Sequence, residues 1–272
     1  MNAHSRIVLE AQQLEIGYDQ RIISSGLNIS IPQGSFTVII GPNASGKSTL
    51  LRALSRLLAP RHGNVLLEGQ NIAGLKTKEI ARRLGLLPQS SIAPDGIRVI
   101  DLVGRGRFPH QSFLERWSRA DEEAVQFAMR ATSIEDLSFR LVDQLSGGQR
   151  QRVWIAMVLA QQTPLLLLDE PTTFLDITYQ YDVLELCRDL NEQHERTVVA
   201  VLHDLNQAAR FATNLVVMHE GQVRAEGDPR EVLTRETVRE VYGLDCQVIP
   251  DPVSGAPLVI PLERGRSVRS AV

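Results

Sequence analysis

Short apolar runs punctuate this chain at the length of buried strands, and each is followed by apolar residues at helical spacing. Phe36 to Ile40 precedes Leu50, Leu51, Leu54, Leu57 and Leu58; Leu165 to Leu168 precedes Ile177 to Leu190; Thr197 to Leu202 precedes Leu205 to Phe211. Strands that are apolar almost throughout are buried on both faces, so this rhythm predicts an α/β fold with a mainly parallel sheet covered by helices. Leu84 to Leu87 reads as a further short strand. Ahead of this unit, Ile7 to Gln12 and Leu27 to Ile31 predict antiparallel strands, and Pro32-Gln33-Gly34 predicts a turn.

The character changes from about residue 90 to 145. Loop-rich sequence around Pro94-Asp95-Gly96 and Gly104 to Pro109 gives way to a helical pattern over Ala120 to Thr132. A helical insertion that can move against the core is expected here. From about 221 to 272, the segments Val223 to Glu226, Glu231 to Val241 and Cys246 to Ile249 predict a small C-terminal appendage ending in a frayed stretch, Arg264 to Val272. The whole length, 1–272, reads as one domain.

Composition narrows the function classes. With 29 basic against 32 acidic residues the net charge is only −3, which gives no footprint for a nucleic-acid partner. No apolar run approaches the roughly 18–20 residues of a membrane helix, so work at a membrane requires another chain to span it. Met1 to Glu10 lacks the apolar stretch of a signal peptide. Cys187 and Cys246 match no metal-ligand spacing, as expected of a reduced cytosolic protein.

The chemistry concentrates in a few motifs. Gly41-Pro42-Asn43-Ala44-Ser45-Gly46-Lys47-Ser48-Thr49 fits the phosphate-cradling pattern G-x-x-x-x-G-K-[ST], with the required strand before it and helix after it. Its backbone N–H groups face the phosphates, Lys47 supplies a point charge and Ser48 a ligand for Mg²⁺. Ala44 narrows the allowed backbone but leaves its main-chain donor in place. Asp169 and Glu170 end a buried strand at the same sheet edge, Asp169 placed to hold Mg²⁺ and Glu170 to polarise a water. His203 follows a third strand, where an imidazole can touch the γ-phosphate and orient water and Glu170. Gln89 follows Leu84 to Leu87, where its amide can reach Mg²⁺ and the same water. A second Gly-rich turn, Leu145-Ser146-Gly147-Gly148-Gln149, opens another helical pattern.

One chain carrying both turns holds two half-sites for one kind of ligand, and in this it resembles the ATP-binding cassette (ABC) ATPases. The resemblance implies a P-loop NTPase cassette with an N-terminal antiparallel β subdomain and a helical subdomain, in which two chains sandwich two molecules of ATP. It also implies that Tyr18 stacks on the adenine and that Ser146, Gly147, Gly148 and Gln149 close over the partner's γ-phosphate. Asp176 matches the loop that crosses to the opposite site, although Phe174 departs from the small residue frequent there. Gln149 to Arg152 read as the solvated first turns of the helix that runs to Ala160.

Finer features are similar to the ATPases of bacterial ferric-siderophore importers, the catecholate type above all. They are Gly104 to His110 with Arg116-Trp117, Asp121 to Val125, His203 to Ala208, Tyr242-Gly243-Leu244 and Ile249 to Val253. That resemblance implies a complex of two copies of this chain, two integral membrane permease subunits and an extracytoplasmic siderophore-binding protein. The chain would then be peripheral on the cytoplasmic face of the inner membrane, with Arg107 and Phe108 as anchors of a permease-docking loop. Importers of haem or cobalamin, and exporters, remain alternatives. A ribosome-associated protein would carry two cassettes, a DNA-repair ATPase would carry a long coiled coil, and a kinase would leave Leu145 to Gln149 unexplained.

Overall fold

The computed structural model describes residues 6–89, 91–111 and 117–262; Arg116 and the expected frayed end, 264–272, lie outside the described residues. The chain opens with β1 (Ile7–Tyr18) and β2 (Arg21–Pro32), an antiparallel pair in which Leu9 faces Ile31 and Leu14 faces Leu27. Both strands run longer than the apolar runs suggest, because bulges between Ala11 and Leu14 and near Ile16 restore the inward face after polar interruptions. Then come β3 (Phe36–Ile40), α1 (Lys47–Leu54), β4 (His62–Leu67), the two-residue β5 (Gln70–Asn71), α2 (Thr77–Arg83) and β6 (Leu84–Leu87). β4 pairs with β1, giving a four-stranded antiparallel sheet in the order β2-β1-β4-β5.

A helical region follows, with α3 (Val99–Gly104), α4 (Arg119–Ala131) and α5 (Gly147–Ala160) packed on one another. Ser118 caps α4 through a reciprocal bond pair with Asp121, and Ser146 caps α5 in the same way with Gln149. α5 shares its apolar face with both the helices and the central sheet, so the core is continuous through this region.

The chain then alternates β7 (Leu165–Asp169), α6 (Ile177–Glu192), β8 (Thr197–Val201), α7 (Leu205–Phe211), β9 (Asn214–His219) and β10 (Gln222–Gly227). The central sheet runs β10-β9-β3-β8-β7-β6, parallel except at β10. Successive residues of each parallel strand feed opposite cores: Val38, Leu166 and Val198 go to one, Ile39, Leu167 and Val199 to the other. Two-sided burial explains why these strands carry no polar alternation. Truncating one such side chain, as in Leu167→Ala, removes about 2–5 kcal/mol of stability.

The C-terminal expectation needs correction. Val223 to Glu226 lies in β10, hydrogen-bonded to β9 as the edge of the central sheet. Beyond it come α8 (Pro229–Val232), α9 (Arg235–Tyr242) and a separate hairpin, β11 (Cys246–Pro250) with β12 (Pro257–Pro261). That hairpin is docked on α7, where Asn206 Oδ1 accepts from the Val259 N–H at 2.7 Å.

Candidate active site

The carboxyl ends of β3, β7 and β8 lie side by side and bring the phosphate loop, the acidic pair and His203 to one edge. At Gly41 the backbone turns with φ +155°, and a Cβ would collide with the Met218 carbonyl. Gly46, at φ 98°, starts α1. Lys47 is buried, and its Nζ donates to the carbonyls of Gly41 and Pro42, each at 2.8 Å. Burial lowers its pKa, with Glu170 and Asp169 opposing that shift by their charge. Asn43 and Ala44 are exposed at the loop crest, and Ala44 takes the left-handed conformation at φ 62°. The hydroxyl of Ser45 is buried without a partner, while the Gly221 N–H donates to the Ser45 carbonyl at 3.2 Å. A glycine-bearing loop with an orphaned hydroxyl and a buried cation fits a polyphosphate.

Ser48 and Asp169, far apart in sequence, meet: the Ser48 hydroxyl donates to Asp169 Oδ1 at 2.9 Å. Burial raises the Asp169 pKa, and the bond from Ser48 only partly offsets it. Among the described residues no cluster of three His, Cys, Asp or Glu side chains forms a metal cage. One carboxylate and one hydroxyl beside a phosphate loop instead suit Mg²⁺, which takes few protein ligands and fills its shell with phosphate oxygens and water. The residues present therefore fit the ion.

Glu170 sits at φ 54°, a strained value for a non-glycine residue. Its Oε1 lies 2.7 Å from His203 Nε2, and its Oε2 accepts from the Thr173 hydroxyl at 3.2 Å. The Gln89 side chain also favours the charged form of the same carboxylate. Burial alone would raise the Glu170 pKa; His203, Gln89 and Thr173 outweigh it and hold the pKa below the usual carboxylate value. The group is thus ionised at neutral pH. Thr173 was not legible in the sequence, since nothing in its neighbours marks it as a partner of Glu170.

Tyr18 is 41% exposed at the end of β1, and its hydroxyl accepts from Arg52 at 3.0 Å. With Ile23, Ala44, Gly46 and Thr49 it lines a cleft of about 520 Å³ that continues from the phosphate loop. Among the described residues, no hydrogen bond or ion pair joins Ser146, Gly147, Gly148 or Gln149 to residues 41–49 of the same chain. Gly147 and Gly148 instead abut the loop before α6: a Cβ on Gly147 would lie 3.9 Å from Phe174 Cβ, and one on Gly148 3.3 Å from Leu175 Cδ2. Asp176 caps α6, accepting from the Tyr179 N–H at 3.2 Å.

Two sequence expectations are corrected. The first turns of α5 are not simply solvated, because Gln151 donates to the Pro171 carbonyl at 3.1 Å and Arg152 lies 4.6 Å over the Tyr179 ring. Arg107 is not a docking anchor: it is 4% exposed. Its guanidinium pairs with Asp121 at 2.8 Å and donates to the Ala160 carbonyl at 2.7 Å and to Gln162 at 2.9 Å. A buried cation whose Nε and Nη1 are bonded internally is not free to reach a partner. Phe108, beside it, is 60% exposed.

The ABC transporter family model matches residues 24–173. The chain is 54% identical over 256 residues to the ferric enterobactin transport ATP-binding protein FepC of Escherichia coli (strain K12), covering 94% of each chain. It is 53% identical over 260 residues to the probable siderophore transport system ATP-binding protein YusV of Bacillus subtilis (strain 168), covering 96% of this chain and 94% of that one. Among solved structures, it resembles a dimeric post-hydrolysis state of the ATP-binding cassette MJ0796 bound to ADP and Pi. That likeness has a TM-score of 0.72 and 28% identity over 81% of this chain and 98% of the other. Sequence, fold and the convergence of Lys47, Ser48, Asp169, Glu170 and His203 agree: this chain belongs to the ABC transporter family, as an ATPase cassette.

Proposed function

We propose that this chain hydrolyses ATP to drive import of a ferric siderophore, of the catecholate class, through a partner membrane permease. The observation that carries this reading is similarity running almost end to end with ATP-binding proteins of siderophore transport, well beyond the part matched by the family model. In this reading the adenine stacks on Tyr18 and the phosphates lie in the loop from Gly41 to Thr49, with Lys47 supplying positive charge. Ser48, Asp169 and Gln89 would hold Mg²⁺, which supplies charge to neutralise the phosphate oxygens. Glu170 accepts a proton from water as its oxygen bonds the γ-phosphorus and the bond to the ADP oxygen breaks, leaving ADP and inorganic phosphate. His203 and Thr173 hold the two carboxylate oxygens in orientation for that transfer.

A second copy completes the site. Ser146 and Gly147 are exposed and, among the described residues, unbonded to their own phosphate loop, which leaves their donors available to the other chain's nucleotide. Phe174, 84% exposed, and Ile177 flank Asp176 and offer apolar surface for that contact. The permease pair and the extracytoplasmic binding protein belong to the same reading, with the chain peripheral on the cytoplasmic face of the inner membrane. Among the described residues no helix is long and apolar enough to cross a membrane. Of the two expected docking anchors Phe108 remains, on a loop fixed by the Arg82 bond to the Pro109 carbonyl at 2.8 Å.

Deletion of the gene tests the cargo. Uptake of radioiron from a ferric catecholate siderophore should be lost, restored by the wild-type chain and not by Glu170→Gln, while cobalamin and haem uptake stay normal. Intact siderophore uptake with lost cobalamin or haem uptake would assign the chain to that other importer.

A further inference from the structure

Two glutamines in the seam between α6 and α7 form a link that the chemistry above does not use. Gln207 is 6% exposed, one turn beyond His203, and its Nε2 donates to Gln180 Oε1 at 2.8 Å. Gln180 Nε2 in turn donates to the Leu175 carbonyl at 3.0 Å. At the other end, Asp204, the residue after His203, accepts the Gln207 N–H at 2.7 Å. A continuous run of hydrogen bonds therefore joins the segment carrying Asp176 to the segment carrying His203. Across the same seam Tyr181 packs edge-on to Phe211 at 5.9 Å, with Arg210 over the first ring at 5.5 Å and Arg188 over the second at 5.4 Å. Paired amides fix the two helices in one register, since any slip orphans polar atoms at a cost of about 1–3 kcal/mol.

The loop before α6 is held at Glu170, Pro171 and Leu175. His203 and Thr173 grip Glu170, Gln151 holds the Pro171 carbonyl, and Gln180 holds that of Leu175. Leu175 also lies against Gly148 of the Ser146 turn. Besides the loop's own path through Thr173 and Glu170, a displacement of Leu175 and Asp176 has a second route, through the two amides, to the segment that carries His203.

We propose that Gln180 and Gln207 are positioning residues that make the His203–Glu170 pair respond to the seating of Asp176 against a second copy of the chain. This rests on the two-copy reading above. Breaking either bond leaves the phosphate loop untouched but loosens the orientation of His203 in the closed dimer.

The test uses the purified full-length chain with Gln180→Met, Gln207→Met and the double variant, all checked for an unchanged thermal unfolding midpoint or corrected for any shift. Each single variant should lower kcat about tenfold, the equivalent of one orphaned amide, with KM for ATP and affinity for a fluorescent ATP analogue within about twofold. The double variant should be no slower than the slower single one, because a broken link cannot be broken twice. Gln180→Glu, which keeps an acceptor for Gln207 but loses the donor to Leu175, should lose as much as Gln180→Met. Unchanged kcat in the single variants, or losses that multiply in the double one, would overturn the link. Dimerisation is read separately, by size exclusion of Glu170→Gln with ATP. A chain that stays monomeric there, with activity linear in protein concentration, overturns the two-copy reading and the link together. A chain that dimerises while the single variants keep full kcat overturns the link alone.

Discussion

His203 Nε2 stands 2.7 Å from Glu170 Oε1, on the only one of the two carboxylate oxygens that Thr173 does not hold. Both oxygens are thus oriented before any water arrives. Glu170→Gln keeps the shape of the group and removes its capacity to take a proton. Hydrolysis should fall by about 10²–10⁴ while ATP still binds, as read by steady-state turnover beside nucleotide titration. Near-normal turnover would remove Glu170 from the role of base.

The same pair sets a pH dependence. Burial pushes the Glu170 pKa up, and His203 contributes most of what holds it down. In His203→Ala the burial effect is left less opposed, so the folded pKa rises. A base works only when ionised, so the acid-side fall of kcat/KM should move to higher pH as well as starting from a lower plateau. An acid limb that stays in place would show that His203 does not tune Glu170.

Lys47 presents a different case, since its ammonium is already held by the Gly41 and Pro42 carbonyls. Charge-assisted bonds contribute about 1.5–3 kcal/mol, so Lys47→Ala should weaken ATP binding by roughly 10- to 150-fold and abolish turnover. Titration with a fluorescent nucleotide checks the first figure. Wild-type affinity would place the phosphates elsewhere.

Ala44 occupies left-handed backbone at φ 62°, which costs a residue bearing a Cβ about 1–2 kcal/mol. Ala44→Gly should raise the thermal midpoint by about 2–4 °C without weakening ATP binding, because the main-chain donor is unchanged. A lowered midpoint would mean that the methyl is favourable where it stands.

Neighbours in one loop should behave oppositely. Arg107→Ala leaves buried Asp121 uncompensated and should cost about 3–5 kcal/mol in chemical denaturation. Phe108→Ala should stay within about 0.5 kcal/mol yet reduce co-purification with the permeases. Burial opposes ionisation of Asp121, but Arg107 and Ser118 prevail and hold its pKa below the ordinary value. Its stabilising effect is therefore full at neutral pH and is lost as pH falls through that lowered pKa. Arg107→Ala should flatten this acid-side loss; an unaltered pH profile would show that the pair does not carry it.

The parallel core and the phosphate site were legible because their signals are local. A strand buried on both faces shows as an unbroken apolar run, and Lys47, Ser48, Asp169, Glu170 and His203 each stand at the carboxyl end of such a run or just beyond it. Strand order was not needed to place them at one edge, since all parallel strands end there.

Tertiary structure alone decided which element covers which. Arg107 looks in sequence like any loop cation, and only the fold brings Asp121 and the Ala160 carbonyl around it. Val223 to Glu226 alternates as a half-exposed strand, but alternation does not say that β9 is its neighbour. Gln180 and Gln207 are 27 residues apart and ordinary in context until α6 and α7 close on each other. Periodicity along a chain reports how much of a residue is buried. The partner that buries it is set by long-range packing, which leaves no mark on the residues nearby.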